Sequence, residues 1–129
     1  MKATIKFVKE VEIAEQTFVK IRFNESFPGF KQNQDGDFKE TDVNEVVLYK
    51  STALAMFFES VPTLALAYSR TEKFNCIEAA LQGANCELKR QLVRDEDADH
   101  DRYATLIEDI EVIDEVKAIL SEEIKRAFA

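Results

Sequence analysis

The chain has 129 residues, of which 46% are hydrophobic and 33% charged, with three glycines and two prolines. This composition excludes a disordered chain and the length fits one hydrophobic core, so we expect a single domain over residues 1–129. No apolar run approaches the roughly 20 residues that cross a bilayer, and the first residues lack the apolar stretch of a signal peptide. We therefore expect a cytoplasmic protein without a membrane partner.

The net charge of −8 is unevenly distributed along the chain. Residues 1–39 carry seven basic and six acidic side chains, whereas residues 95–129 carry four basic and twelve acidic ones. Counterion release makes nucleic-acid affinity depend on local lysine and arginine. A nucleic-acid surface would therefore have to lie in the N-terminal half, and the acidic C-terminal third suits a basic protein partner.

Two strands are predicted at the start of the chain. Apolar residues alternate with charged ones over residues 5–13 and again over residues 19–23, which is the period of a half-buried strand. Residues 14–16 make the short turn of a hairpin, and Val8 with Lys9 interrupts the alternation as a β-bulge would. The pattern favours a curved antiparallel sheet, with Lys20 and Arg22 on its polar face, where they could contact phosphates.

The segment from Phe23 to Lys39 combines aromatic rings with lysine and amide side chains. Pro28, Gly29 and Gly36 are turn residues, so we expect a long loop here rather than a regular strand or helix. Bases of single-stranded nucleic acid can stack on phenylalanine rings while ammonium groups meet the phosphates. An alternative of similar weight has the rings fold back over the core. The loop residues that carry the binding hypothesis are Phe27, Phe30, Lys31, Phe38 and Lys39.

Residues 42–60 allow two interpretations. Asp42 and Glu45 have the spacing of a capping box, and apolar residues recur behind them at helical intervals, which predicts one helix over most of the segment. The β-branched residues and the tyrosine within 46–49 favour a strand there instead, followed by a helix from Ser51. The two interpretations have equal support from the sequence.

Helices and a second hairpin are predicted downstream. Alanine-rich segments over 63–68 and 74–81 are typical of helices, and Gly83 ends the second as a C-terminal glycine should. Alternation predicts strands over 84–92 and 103–112, joined by a hairpin loop. In this hairpin Arg90 could pair with Glu108, since cross-strand neighbours on one face lie close together.

An amphipathic helix closes the chain. For such a helix, packing on the sheet is the default, and a homodimer seam is the alternative. Its apolar residues are spaced four apart and are Val116, Leu120, Ile124 and Phe128.

Strands towards both ends of the chain, with helical material between them, predict an α+β fold. We expect a curved antiparallel sheet or OB-like barrel with inserted helices and a C-terminal amphipathic helix. An OB barrel presents strands 2 and 3 and the loops between strands as its binding surface.

The sequence carries no motif of a catalytic or metal site. It has no Gly-rich nucleotide loop, no zinc-protease motif and no nucleophile elbow. His100 is the only histidine and lies among aspartates, and the acidic residues over 95–101 lack the glycine and glutamate of a calcium loop. Cys76 and Cys86 have no partners at zinc-ligand spacing. We therefore expect no enzyme, no metal and no cofactor.

The run from Leu81 to Leu88 is a small-residue turn that feeds a strand, and an acidic hairpin and a strand ending at Val112 follow it. Over residues 80–112 this arrangement resembles the second half of small phage-type single-stranded DNA-binding proteins. The resemblance implies stacking aromatic residues and basic residues on the sheet and on the loop after strand 2. It does not extend to the free acidic tail of that family, because the acidic end here is predicted to be a helix. The matching positions are Phe18, Lys20, Arg22, Phe27, Phe30, Lys31 and Phe38.

Two functions of different classes follow from these observations. The first is a non-enzymatic module that binds single-stranded nucleic acid, with a preference for DNA, through the 23–39 segment and the first hairpin. The second is a small protein-interaction or accessory module of a phage or mobile element, which acts through its acidic C-terminal third. A positive groove lined by phenylalanine rings favours the first, and negative potential with those rings buried favours the second.

Overall fold

The computed structural model describes residues 1–94 and 101–127, without the side chains of Thr71 and of residues 123–127. Five strands form one antiparallel sheet in the order β3-β2-β1-β4-β5. The elements in chain order are β1 (Lys2–Ile13), β2 (Gln16–Gln32), β3 (Phe38–Tyr49), α1 (Lys50–Ser60), α2 (Pro62–Thr71), α3 (Asn75–Leu81), β4 (Asn85–Val93), β5 (Arg102–Glu111) and α4 (Asp114–Ala127).

The sheet curls into a half-barrel. β3 and β5 each have one neighbour in the described sheet and so form its two free edges, while the curl brings the far end of β2 against β5. Helices α1 to α3 are inserted between β3 and β4, and α4 follows β5. The predicted α+β class, with a curved OB-like sheet, is confirmed.

β-Bulges produce part of this curvature, since an extra residue in one strand bends it and increases its twist. In β1 the register against β2 shifts between Ile5 and Phe7, slightly earlier than the predicted bulge at Val8 and Lys9. Because of the shift, Ile5 and Val8 both point into the core and are buried, although they are three residues apart. A second shift lies in β2 between residues 22 and 27.

The predicted long loop over 23–39 is wrong. β2 continues through residue 32 and pairs with β3 along this length, so the connection is only a short turn. In that turn the Asn33 carbonyl accepts a hydrogen bond from the Gly36 amide at 3.1 Å, and Asn33 Oδ1 accepts one from the Asp37 amide at 2.9 Å. Pairing with β3 outweighs the local turn preference of Pro28 and Gly29, because the ladder fixes both strands.

The strand-then-helix interpretation of residues 42–60 is the correct one. β3 extends to Tyr49 and α1 begins at Lys50, one residue before the predicted helix start. Val46 and Val47 are paired with β2, where β-branched side chains suit a pleated surface. The Lys50 ammonium lies 2.6 Å from the Glu10 carboxylate of β1, which ties the start of α1 to the sheet.

The buried apolar residues form one cluster between the sheet and the helices. Gly83 follows α3 with a φ of +82°, a left-handed value that glycine adopts without a steric cost, as predicted for its capping role. α4 packs against α2 and buries Val116 and Leu120. The sequence predicts packing on the sheet, whereas the element that α4 contacts most is a helix. The side chains of Ile124 and Phe128, the rest of the stripe, lie outside the described residues.

Candidate nucleic-acid interface

The open seam of the half-barrel is a cleft with a volume of about 930 Å³. One wall is β3 from Asp42 to Tyr49, and the opposite wall is formed by residues 101–105 at the start of β5. Side chains of β2 and β4 complete the lining, which runs around the free edge of β3. The cleft therefore lies where an OB barrel would close its last pair of strands.

A pair of stacked rings lies at one end of the cleft. Phe18 of β2 and Tyr49 of β3 are cross-strand partners, and their ring centroids are 4.9 Å apart with an interplanar angle of 30°. Tyr49 is 58% exposed. A ring that is held in place on one side and open to water on the other offers a surface on which a flat base could stack.

Arg22 is fixed between this ring pair and the middle of the cleft. Its Nε and Nη2 atoms both donate to Oε2 of Glu45, at 3.1 and 2.7 Å, and its guanidinium carbon lies 4.9 Å from the centroid of the Phe7 ring. These contacts hold the guanidinium in one place. The negative charge of Glu45, its cross-strand partner, also neutralises the guanidinium in part.

A second pair of rings lies at the other end, where β2 meets β5. The ring centroids of Phe30 and Tyr103 are 5.2 Å apart, and the Tyr103 hydroxyl donates to Oε1 of Glu40 at 3.0 Å. Loss of water around the hydroxyl, followed by its bond to Glu40, raises the pKa of Tyr103. The Tyr103 phenol therefore keeps its proton to a higher pH than a free tyrosine does, and it donates to Glu40.

Arg90 lies beside this second ring pair and not in the predicted ion pair with Glu108. Its ladder partner is Thr105, and Glu108 pairs instead with Lys89 at 2.8 Å. The Arg90 guanidinium carbon is 4.5 Å from the ring centroid of Phe27. The predicted Arg90–Glu108 pair is wrong, because the β4–β5 register places Glu108 opposite Glu87.

Exposed lysines and a phenylalanine extend the cleft towards the β2–β3 turn. Lys31 and Lys39 are direct cross-strand partners, and the next pair of the ladder contains Phe38, which is 46% exposed. Lys31 and Phe38 line the cleft, and Lys39 adjoins them. Lys20 lies apart, half-buried between Lys9 of β1 and β3.

The predicted site residues therefore separate into three groups. Lys20 and Lys39 lie on the sheet outside the cleft lining. Phe27 belongs to the core, 2% exposed and edge-on to Phe23 at a centroid distance of 5.6 Å, so its predicted role as a stacking ring is corrected. The predicted residues that line the cleft are Phe18, Arg22, Phe30, Lys31 and Phe38.

Three residues of this site were not predicted from the sequence to belong to it, namely Tyr49, Arg90 and Tyr103. Tyr49 could be placed only once residues 46–49 were known to be a strand paired with β2. Arg90 shares the parity of the apolar residues Ala84, Cys86, Leu88 and Leu92. A charged residue on the apolar face of a strand is the sequence signal that could have pointed to a binding role.

The charges of the cleft differ from those of the whole chain. Its lining holds three acidic side chains, Asp42, Glu45 and Asp101, and four basic ones. The cleft thus carries a net charge of +1 within a chain of net charge −8. The basic side chains are Arg22, Lys31, Arg90 and Arg102.

No family model, no curated protein and no solved structure matches this chain. Within residues 1–94 and 101–127, no group of three His, Cys, Asp or Glu residues is placed to hold a metal ion. No helix in the same residues is long and apolar enough to cross a membrane. His100 and the acidic residues 95–100 lie outside the described part of the chain.

Proposed function

We propose that this chain is a non-enzymatic module that binds single-stranded nucleic acid, with a preference for DNA, in the cleft between the free edges of β3 and β5. The observation that carries the proposal is that two aromatic pairs lie at the two ends of one cleft, whose lining has a net charge of +1 within a protein of net charge −8. An OB-type sheet uses its second and third strands to bind oligonucleotides, and both aromatic pairs include a β2 residue.

The aromatic rings of the cleft supply the sequence-tolerant part of the interaction with nucleic acid. Tyr49 and Phe38 are the most exposed rings of the site. Phe18 packs against Tyr49, and Phe30 packs against Tyr103. Every base has a flat π-face, so stacking on such rings contributes about 1–3 kcal/mol per base with little preference among the bases.

The basic side chains supply the phosphate contacts. Lys31 and Lys39 are exposed at the open end of the cleft and have no ion-pair partner among the described residues. A short basic track suits a module that binds a few nucleotides, since each neutralised phosphate releases counterions. The acidic remainder of the protein repels the strand elsewhere and directs it to this cleft.

The proposal is tested by fluorescence anisotropy of labelled oligo-dT with the wild-type protein at low and moderate salt. The matched variants are the Phe30→Ala/Phe38→Ala double mutant and Ile119→Ala. Ile119 is a control because it is 62% exposed on α4 and lies outside the cleft. We expect wild-type binding that weakens with salt, a loss of tenfold or more in the double mutant, and no change for Ile119→Ala. Absence of wild-type binding at low salt would overturn the proposal, and oligo-U in parallel measures the preference for DNA.

A second candidate function is a protein-interaction module that uses the acidic C-terminal third. The observation in its favour is that Ile113 and Ile119 are exposed beside acidic residues of the first turn of α4, Asp114 and Glu115. Exposed apolar side chains next to carboxylates suit a basic, amphipathic partner segment. Titration of a labelled Arg-rich peptide against the wild type and the Asp114→Asn/Glu115→Gln variant tests it, and equal binding to both would count against this candidate.

A further inference from the structure

We propose that Arg90 binds a phosphate group in the cleft. Under the proposed function the backbone of the bound strand supplies that group, and the identity of the ligand rests on that function. The sequence predicts a cross-strand pair of Arg90 with Glu108, and the structure instead places Arg90 in the cleft lining, without that partner.

Arg90 lacks the acidic partner that a half-buried arginine usually has. In the described part of the chain it has no carboxylate within ion-pair distance, and its hydrogen bond goes to a neutral group, Oγ1 of Thr105, at 3.2 Å. Its Nε atom is buried and donates to no acceptor. Arginine has five N–H donors, and Oγ1 of Thr105 is the one acceptor that the described residues provide for them.

The guanidinium is nevertheless held in a fixed position. It lies between two rings, 4.5 Å from the centroid of Phe27 and 5.0 Å from that of Tyr103. On a third side is the backbone of Gly29, where an added Cβ would lie 3.3 Å from Nη2. A planar guanidinium held in this way matches the oxygens of a phosphate by paired hydrogen bonds, and little rotational freedom remains to be lost on binding.

The two ring contacts offset only part of the cost of burying a cation at this position. Burial lowers the pKa of Arg90, which means that the surroundings disfavour its charge. An unpaired charge at a partly buried position is costly, and an apolar side chain of similar size would fill the same space. Lys89, the preceding residue, shows the ordinary arrangement, because it is exposed and pairs with Glu108.

The test compares the salt dependence of oligo-dT affinity in four proteins: the wild type, Arg90→Met, Arg90→Lys and Lys89→Met. Lys89→Met is the matched control, since it removes the same charge from the same strand outside the cleft. For Arg90→Met we expect affinity reduced about tenfold or more and a log–log salt slope smaller by about 0.7, the value for one phosphate contact on a single strand. Arg90→Lys should keep the wild-type slope but bind more weakly, and Lys89→Met should keep the wild-type slope and affinity.

A second measurement separates this inference from the proposed function. The Arg90 Nε–H resonance is followed by NMR while inorganic phosphate, thymidine monophosphate or chloride is added to the wild type. If the wild type binds oligo-dT but the slope of Arg90→Met equals that of the wild type, the inference is wrong and the function stands. If the wild type does not bind oligo-dT, the function is wrong, and a saturable shift with phosphate or the nucleotide, but not with chloride, still supports Arg90 as an anion site. Absence of a shift with both phosphate and the nucleotide would overturn Arg90 as an anion site.

Folding of the variants is checked by urea unfolding before either measurement. Should Arg90→Met fail to fold, Arg90→Lys still decides the matter, because it keeps the charge and loses the paired geometry. Arg90→Lys affinity equal to that of the wild type would contradict binding through a planar guanidinium.

Discussion

Lys31 of β2 and Lys39 of β3 face each other as direct partners in the antiparallel ladder. Like charges at such positions destabilise a sheet, by roughly 0.2–1 kcal/mol relative to neutral pairs. Neither ammonium has an ion-pair partner within the described residues that would offset this repulsion. The pair therefore costs stability in the free protein, and a bound phosphate backbone between the two lysines would relieve that cost.

Lys39→Glu should stabilise the protein and weaken its binding at the same time. The new carboxylate faces Lys31 and converts a repulsive cross-strand pair into an attractive one, which raises the free energy of unfolding by about 0.2–1 kcal/mol. Under the proposed function the same change removes a phosphate contact and adds repulsion beside the cleft. Urea unfolding and oligo-dT anisotropy measure the two effects.

Lys2→Glu is the control for that variant, since it makes the same change in net charge at a site outside the cleft. Its effect on oligo-dT affinity should be several times smaller. If both variants weaken binding equally, the effect comes from total charge and not from the cleft.

Glu45→Gln should strengthen oligonucleotide binding. Arg22 donates two hydrogen bonds to one carboxylate oxygen of Glu45. Because both side chains are about one-third exposed, the pair contributes no more than about 1 kcal/mol to stability. Loss of the negative charge leaves Arg22 available to a phosphate. We expect higher affinity with a steeper salt dependence, and an unfolding free energy lowered by less than about 1 kcal/mol. Weaker binding in this variant would show that the Arg22–Glu45 pair positions the site.

Gly29→Ala should destabilise the domain through a clash with Val43. A Cβ built at Gly29 would overlap Cγ2 of Val43, which lies against the strand at that point. Overpacking of this kind costs about 1–3 kcal/mol. The Gly29→Ala/Val43→Ala double mutant removes the clash and should recover part of the loss in a urea-unfolding double-mutant cycle. Additive losses in the cycle would contradict a direct clash.

Cys86 should make the protein less stable at alkaline pH. Burial, with added effects of Glu25 and Glu87, raises the pKa of the Cys86 thiol from 9.0 to about 11. The unfolded chain therefore releases this proton at lower pH than the folded chain. The contribution of the buried thiol to the free energy of unfolding is full below pH 9 and is lost as pH rises towards 11. The loss is of the order of 2–3 kcal/mol, at about 1.4 kcal/mol for each pKa unit.

Measurement of the unfolding free energy of the wild type and Cys86→Ala from pH 8 to 11 isolates this effect from the other groups that titrate there. The advantage of the wild type over the variant should shrink across that interval. A difference that does not change with pH would mean that the thiol ionises alike in both states.

Elements with a clear local pattern were predicted correctly from the sequence. The two hairpins and the C-terminal helix carry a period of two or near 3.6, and such a period depends only on neighbouring residues. Gly83 was predicted from its place after a helical segment, where glycine adopts a left-handed φ. The two-residue turn at Ala14 and Glu15, with φ of 51° and 67°, follows from the hairpin that it closes.

The partner of Arg90 could not be predicted in the same way. In the β4–β5 ladder Arg90 faces Thr105, and the ladder shifts between Asn85 and Glu87. Alternation along a strand tells which face of the sheet a side chain lies on. Prediction of its cross-strand partner also requires the register of the two strands. The register depends on turn geometry and on the fit of both strands to the core.

The sequence by itself determined that the N-terminal third holds phenylalanine rings among lysines, that the negative charge gathers towards the C-terminus, and that the fold is α+β. Only the tertiary structure decided which rings are available. The bulge after Arg22 and the pairing of residues 27–32 with β3 bury Phe27 and leave Phe30 and Phe38 at the cleft. Burial of a ring depends on strands that are distant in sequence, and the curl of the whole sheet sets their approach.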